Sequence, residues 1–427
     1  MNTINPDSNI SNYSSVVVGS AFDIRLTDRL PVPGVDFPAS PEAPKIPPLG
    51  NNVNLQAISL NSGINPMTER YRLLALSKRI LWGLVRPGHN LLGPGHNLLG
   101  CQRVPVLGRG GVSICRSNDS FVDAGYKSGF YFSGVKTCKS AWVCPVCSFS
   151  LAGARAAEVR QAIRFIKKSD GDVYMLTLTF RHSRFDDLGE LLGRCKKALV
   201  KLWGQRTVKE MMKSHFIGRI TATELTYSDG AGWHPHQHIL LLGERGLSCE
   251  ALQAVFGDYW IRALNASGLS GVSDFACNVQ PASVVQDYLT KMSSELALGN
   301  TGTKEGKQPG HYSPFELLGM CRVRDDYKRL WREFYSVTRG RQCLAWSRGL
   351  KSICGVSERS DDEILDSSDG ERFIPVITVF SEDWKELLTD YDFGFIRRAP
   401  SVDSIIEILD RRGARYRLVL EKFSLVV

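Results

Sequence analysis

Three of the chain's eight histidines recur at every second position of one short stretch, directly before an apolar run. These are His234, His236 and His238, and the run that follows begins at Ile239. A β-strand directs alternate side chains to one face, so the three imidazoles would lie together on a sheet. Imidazoles at this spacing can hold a divalent metal ion. The pattern favours a metal site over solvated or core histidines, but it does not define the chemistry.

The segment before the histidines predicts the partner strand. Residues 216–227 have a strand pattern, and residues 228–232 read as a hairpin turn. With the turn centred on Gly230, Glu224 pairs with His236 and projects from the same face. A slip of one residue would turn Glu224 away, which leaves a surface glutamate as the alternative. Two imidazoles and one carboxylate suit Mg²⁺ or Mn²⁺ acting on a phosphate.

The surrounding patterns predict the fold class. Helices and strands alternate in the order β-α-β-β-α-β-α, which predicts an α+β fold with an antiparallel sheet covered by helices on one face. Besides the hairpin, the segments are a strand over 173–180, helices over 186–203 and 249–266, a strand over 275–280 and a helix over 282–298.

The last of these helices carries a candidate nucleophile. Tyr288 and Lys291 lie three residues apart and share a stripe next to the apolar one. A tyrosine nucleophile needs its phenolate favoured, and a nearby ammonium group and metal ion would do that. Taken alone, Tyr288 is better explained as a packing tyrosine, so its case depends on the neighbouring motifs.

A cysteine cluster precedes this region. Cys138, Cys144 and Cys147 contain a C-x2-C pair, which is a frequent zinc half-site. A tetrahedral site needs a fourth ligand, for which Cys101 is favoured over Cys115. The alternatives are free thiols or a redox pair, although no strand-helix pattern of the thioredoxin type surrounds the motif.

A basic helix and the net charge predict a polyanionic partner. The helix predicted over 148–168 carries Arg155, Arg160 and Arg164, a flank suited to DNA phosphates, with a solvated face as the alternative. The formal net charge of +9 agrees with a nucleic-acid partner. No apolar run approaches the roughly 20 residues of a membrane span, and no signal peptide is apparent. We therefore expect a cytoplasmic protein with reduced thiols and no membrane partner.

The composition along the chain predicts five regions. The first is rich in Asn, Ser and Pro and has few charges, which is typical of a disordered leader. The regions are a leader over 1–64, a helix with the Cys-rich zinc-binding-like segment and basic helix over 65–170, a domain with the histidine hairpin over 171–300, an extension over 301–352 and a small C-terminal α/β appendage over 353–427.

Taken in order, these motifs resemble those of the rolling-circle replication initiators of small bacterial plasmids, within the HUH endonuclease superfamily. Residues 176–180 resemble the first motif of that family, residues 234–241 its metal motif and residues 287–291 its nucleophile motif. The cysteine segment and residues 341–351 also resemble recurring segments of the family. The likeness covers roughly residues 100–352, and the ordered combination is more specific than any single motif.

The resemblance implies a function and a set of roles. His236, His238 and Glu224 would hold the metal ion, Tyr288 would attack the scissile phosphate, and Lys291 would neutralise charge beside it. His234 is expected to orient a ligand, ahead of direct ligation or a DNA contact. The protein would bind the double-strand origin and nick one strand at a single-stranded or hairpin site. The products would be a 5′-phosphotyrosine and a 3′-hydroxyl primer, with host helicase and DNA polymerase as partners.

One departure and three rivals qualify this interpretation. Some relatives carry a glutamate four residues before the tyrosine, where this chain has Val284, which leaves the termination of replication open. An HUH relaxase or transposase shares the same chemistry, although relaxases usually place the tyrosine before the histidines. A zinc-containing DNA-binding protein without catalysis would explain the cysteines and the charge, but it would leave the histidine strand as a coincidence.

Overall fold

The computed structural model describes residues 66–82, 98–117, 129–271, 275–281, 310–366 and 373–419. The predicted leader over 1–64 and the predicted helix over 282–298, with Tyr288 and Lys291, lie outside the described residues.

The strands follow the predicted pattern in the middle of the chain and add others on either side. In chain order they are β1 (Val112–Ser117), β2 (Phe130–Ser133), β3 (Gly171–Leu178), β4 (Phe216–Ser228), β5 (Gly232–Glu244), β6 (Cys277–Pro281), β7 (His311–Tyr312), β8 (Leu344–Trp346), β9 (Phe373–Val379) and β10 (Tyr416–Leu418).

Two of the helices that pack on the larger sheet begin at a side-chain cap. The carboxylate of Asp187 accepts a hydrogen bond from the backbone N–H of Glu190, and the hydroxyl of Ser248 accepts one from Ala251. The helices are α1 (Pro66–Leu81), α2 (Pro145–Lys168), α3 (Leu188–Gly204), α4 (Arg206–His215), α5 (Cys249–Asn265), α6 (Pro314–Met320), α7 (Asp326–Thr338), α8 (Leu350–Ile353), α9 (Asp361–Asp366), α10 (Ser381–Glu386), α11 (Asp390–Ile396) and α12 (Val402–Arg412).

The larger sheet is antiparallel and has β5 near its centre. Its order is β6-β3-β5-β4-β7, and β8 also pairs with β4. Alternate residues of β3 and β5 enter two different hydrophobic clusters. Leu176 and Ile239 belong to the cluster that also holds residues of α3 and α5, whereas Met175 and Leu240 pack with α2.

The predicted α+β class with an antiparallel sheet is confirmed, but helices cover both faces of the sheet rather than one. The reason lies in residues 239–242 of β5, which are apolar at successive positions and buried. A strand that is apolar on both sides needs cover on both sides. Each leucine buried in this way contributes roughly 1.5–3 kcal/mol.

The second sheet joins distant parts of the chain. Its order is β10-β9-β1-β2, so the predicted C-terminal appendage shares a sheet with residues of the Cys-rich region. Aromatic rings fill its core, where Trp384 stacks on Phe393 with ring centroids 4.5 Å apart. The backbone of Gly394 lies against α1, and its carbonyl accepts a hydrogen bond from the Thr68 hydroxyl. The domain boundaries drawn from the sequence remain a prediction.

Among the described helices, none combines the length and the apolar character that crossing a membrane requires.

Candidate metal and nucleic-acid site

The hairpin of β4 and β5 has the predicted register. Glu224 lies directly opposite His236, Ala222 opposite His238 and Thr226 opposite His234. The turn depends on Gly232, whose φ of +77° is the left-handed conformation that glycine adopts without strain. Glu224 and the three histidines therefore project from one face of the sheet.

His238 is held from both sides of its ring. Its Nε2 lies 2.7 Å from Oε2 of Glu224, and its Nδ1 lies 3.2 Å from the hydroxyl of Thr177 on β3. A carboxylate only accepts hydrogen bonds, so Nε2 donates to Glu224 and Nδ1 accepts from Thr177. A ring supported in this way has a defined orientation, as metal-binding histidines usually do.

A second pair of histidines adjoins the first. The rings of His234 and His236 are 4.0 Å apart between centroids, and Nδ1 of His234 contacts Nε2 of His182. Nδ1 of His182 lies 2.9 Å from the carbonyl oxygen of Ala231 and donates to it. His182 Nε2 therefore accepts a hydrogen bond from the Nδ1–H of His234, and Nε2 of His234 keeps its lone pair.

Burial favours the neutral forms of His234 and His182. Burial, reinforced by His236 and His182, lowers the pKa of His234 to about 2. Burial also lowers the pKa of His182. The neutral form is the one that ligates metals. Sequence reasoning missed His182. Its position two residues beyond the strand predicted over 173–180 could have indicated that it lies near the sheet face that carries His234, His236 and His238.

The donor types of Glu224, His236 and His238 fit Mg²⁺ or Mn²⁺. The rings of His236 and His238 are nearly parallel, with centroids 6.0 Å apart. Within the described part of the chain, however, these three side chains do not bring all their ligand atoms within 4.8 Å of one another. The structure thus places the predicted donors on one face of the sheet, but it does not bring all their ligand atoms close enough to share one metal ion.

A cavity opens beside the histidines. It has a volume of about 480 Å³ and is lined on one side by His182, His234 and His236. Helix α2 covers the part of the same face that carries Leu240 and Leu242. The candidate site therefore lies beyond the residues that α2 covers.

The cysteines form a compact and buried cluster. The Sγ atom of Cys101 lies 3.5 Å from that of Cys147 and 3.7 Å from that of Cys144, and the Sγ atoms of Cys138 and Cys147 are 3.8 Å apart. These separations exceed the disulfide length of about 2.05 Å. Four sulfurs at about 2.3 Å from a tetrahedral zinc ion would be about 3.8 Å apart. The cluster fits zinc, and its fourth member is the favoured Cys101.

The cysteine cluster is part of the support for the histidine face. Cys144 caps the N-terminus of α2, where its Sγ accepts a hydrogen bond from the N–H of Cys147. Further along the same helix, Ile163 and Ile166 pack against Leu240 and its neighbours. A metal ion bound by the cysteines would therefore fix the helix that covers half of the histidine face.

The three predicted DNA-binding arginines differ in their surroundings. Arg155 is engaged within the protein, because its guanidinium lies 3.0 Å from Glu158 and 2.7 Å from Asp361. Arg160 is half-buried and Arg164 is exposed. Only the latter two retain the accessibility that a phosphate contact requires.

The segment over 341–351 flanks the site. Within it, Leu344 pairs with Ala222 on β4, and the carbonyl of Cys343 accepts a hydrogen bond from the N–H of Thr223. Tyr288 and Lys291, in contrast, lie outside the described residues.

Comparisons with known proteins find relatives among replication proteins. Residues 130–250 match a family model described as "Replication protein". This span includes Glu224, the three histidines and three of the clustered cysteines, and it ends before Tyr288.

Two relatives come from Streptomyces. A protein named "Protein rep" from Streptomyces lividans is 26% identical over 316 residues, which covers 56% of this chain and 69% of that protein. A "Neomycin resistance protein" from Streptomyces cyanogenus is 30% identical over 144 residues, 26% of this chain and 33% of that protein. No solved structure matches the chain significantly. The resemblance to replication initiators that the motifs predict is thus confirmed by the replication-protein model over residues 130–250 and by the similarity to "Protein rep".

Proposed function

We propose that the chain is a plasmid rolling-circle replication initiator that binds the double-strand origin and nicks one strand through Tyr288. The observation that carries the proposal is the contact of 2.7 Å between Glu224 and His238, on a sheet face that borders a cavity and lies within the span that matches the replication-protein model. A carboxylate and two imidazoles on such a face suit the metal-assisted cleavage of a phosphodiester.

Chain length allows Tyr288 to reach this face. β6 ends at Pro281, which pairs with Tyr174, three residues along β3 from Thr177 and its contact with His238. Three strand residues span about 10 Å. Tyr288 follows Pro281 by seven residues, which span about 10 Å as the predicted helix and at most about 25 Å when extended. The extended length is sufficient to bring the phenol beside His238, which lies a further two strand spacings of about 4.8 Å away across the sheet.

The proposed reaction exchanges one phosphoester for another. The phenolate oxygen of Tyr288 attacks the scissile phosphorus and forms the 5′-phosphotyrosine bond. The bond between phosphorus and the 3′ oxygen breaks, and that oxygen takes a proton to become the 3′-hydroxyl primer. The phenolic proton leaves to solvent, and Lys291 neutralises charge beside the tyrosine or the phosphate.

The described residues orient and support this step. Mg²⁺ or Mn²⁺ bound by His236, His238 and Glu224 would supply polarisation of the scissile phosphate. Thr177 holds the His238 ring, and His182 holds that of His234, so both rings have a defined orientation before a metal ion binds. The Nε2 proton of His238, which is hydrogen-bonded to Glu224 here, would leave when a metal ion binds that nitrogen. Host helicase and DNA polymerase would act on the nicked origin afterwards.

The test is a nicking assay on a supercoiled plasmid that carries the cognate origin, with Mn²⁺ or with EDTA. We expect an open-circular product with Mn²⁺ and a protein-DNA adduct on a denaturing gel. Tyr288→Phe should abolish both while leaving origin binding intact. Tyr391→Phe is the matched control, because Tyr391 is an exposed tyrosine on α11, outside the nuclease sheet.

The outcomes separate the proposal from its rivals. An adduct that persists in Tyr288→Phe would refute the assigned nucleophile. Tight origin binding without any nick would favour a zinc-containing DNA-binding protein without catalysis. A nick confined to transfer origins or transposon ends would favour a relaxase or a transposase.

A further inference from the structure

We propose that the cavity beside His236 is a pocket for one base of the single-stranded DNA at the nick site, with Phe275 as the ring on which that base stacks. The inference rests on the proposed function, because it concerns how the same site holds its substrate. It adds a part that neither the metal donors nor the nucleophile supplies.

The size and position of the cavity suit a nucleotide. Its volume of about 480 Å³ lies within the range of roughly 300–1,000 Å³ that small-ligand pockets have. His236 lines the cavity and is also one of the proposed metal donors. A base in the cavity would therefore belong to a nucleotide next to the scissile phosphate.

Phe275 has the properties of a stacking platform. Its side chain is 66% exposed, although phenylalanine is among the residue types most often buried. It is also well anchored, because the next residue, Ala276, is buried and its carbonyl accepts a hydrogen bond from the N–H of Thr179. An exposed ring on a fixed backbone can stack with any base, since every base presents a π face.

Thr179 supplies a polar group at the same place. It directly follows the end of β3, and it lines the cavity together with His234 and His236. Its hydroxyl oxygen is buried and has no hydrogen-bond partner among the residues that the structure describes. A buried hydroxyl without a partner is uncommon and costs stability. A nitrogen or oxygen on the edge of a base would satisfy it.

Arg181 completes the arrangement at the rim. Its side chain is exposed and lines the cavity, and its backbone N–H donates to Ser270 at 2.8 Å. An exposed guanidinium suits a phosphate, whereas the aromatic and imidazole rings that also line the cavity suit an uncharged base. The cavity thus offers separate places for the two parts of a nucleotide.

The test measures binding of fluorescein-labelled 12-nucleotide strands of dT, dC and dA, and of a 12-unit abasic strand, by fluorescence anisotropy in EDTA. Phe275→Ala should raise Kd about five- to twentyfold on the strands with bases, the lower part of the range for losing one stacked base. It should leave Kd unchanged on the abasic strand. Phe275→Trp should bind as the wild type does.

Matched variants isolate the pocket from general effects. Phe185→Ala is the control for Phe275, because Phe185 is 86% exposed and does not line the cavity. It should bind every strand as the wild type does. Thr179→Val should reduce the difference in Kd between the three bases, whereas Thr179→Ser should retain it.

Three results would overturn the inference. These are an unchanged Kd for Phe275→Ala on all strands, an equal loss on the abasic strand, or an equal loss in Phe185→Ala. Thermal melting of each variant shows that the fold is intact, as expected for an exposed side chain. If the wild type still forms its tyrosine adduct, the pocket alone is wrong. If it forms none while the base-dependent loss at Phe275 appears, the nicking function is wrong.

Discussion

Loss of one cysteine from the cluster of Cys101, Cys138, Cys144 and Cys147 should release zinc and destabilise the protein. Cys138→Ser is the informative change, because its sulfur lies 3.8 Å from that of Cys147, the edge length of a tetrahedral Zn–S4 site. With one thiolate missing, the four-sulfur shell that closes a structural zinc site is incomplete.

The size of the effect follows from the binding equilibrium. A ligand present at 100 times its Kd stabilises the folded state by about 2.7 kcal/mol. For a domain of 150–250 residues this corresponds to roughly 5–11 °C in Tm. Structural zinc in small peptides binds with about 10–16 kcal/mol of apparent free energy, so the real loss is expected to be larger than this lower bound.

The assay combines zinc content and melting temperature. Wild type purified without chelator should contain one zinc ion per chain by mass spectrometry, and EDTA should lower its Tm. Cys115→Ser is the matched control, because Cys115 is also a buried cysteine in the same part of the chain but lies outside the cluster. Both changes place a serine hydroxyl in a buried position, so the difference in Tm between the two variants measures the contribution of the metal ion.

Two results would refute the reasoning. A full complement of zinc in Cys138→Ser would show that this sulfur is not a ligand. Zinc loss in Cys115→Ser with retention in Cys138→Ser would show that the cluster had been assigned wrongly. Hydrogen exchange of α2 offers a further check, since amides near Cys147 should exchange faster once zinc is removed.

Three further predictions concern the histidine face and its support. Glu224→Gln keeps the shape of the side chain but removes its charge, so Mn²⁺ affinity measured by calorimetry should fall about tenfold or more while the fold is unchanged. An unchanged affinity would exclude Glu224 as a ligand. His182→Phe should weaken Mn²⁺ binding roughly 10–100-fold through the loss of support for the His234 ring. His215→Gln, at the last residue of α4 and in contact with Glu244 instead, should have no effect. Lys351→Met removes a buried contact of 3.2 Å with Glu158 and should lower the free energy of unfolding in urea by about 3 kcal/mol. This is the lower end for buried ion pairs, because two arginines still contact the Glu158 carboxylate. A loss below about 1 kcal/mol would contradict the prediction.

Local features of the sequence were sufficient to predict the geometry of the hairpin. The period of two places His234, His236 and His238 on one face, and the short turn leaves one register in which Glu224 opposes His236. Both features act over about 20 residues, and over this distance side-chain alternation and turn length leave few alternative registers for the two strands. The C-x2-C pair predicted a metal cluster for the same reason.

Other features depended on contacts between distant segments. The partnership of His182 with His234 brings together residues that no periodicity connects. The pairing of β9 with β1 crosses more than 250 residues and joins the predicted appendage to the Cys-rich region. No local pattern encodes such a pairing, because many different strands could form hydrogen bonds with the same edge strand.

The sequence by itself therefore determined the histidine strand, its register with Glu224 and the class of the fold. Only the tertiary structure decided that helices cover both faces, that Cys101 rather than Cys115 completes the cluster, and that a cavity adjoins His236. The physical reason is the separation along the chain between the residues that interact. Backbone geometry constrains neighbours within a hairpin, whereas the partner of a distant segment is selected by packing and burial over the whole chain.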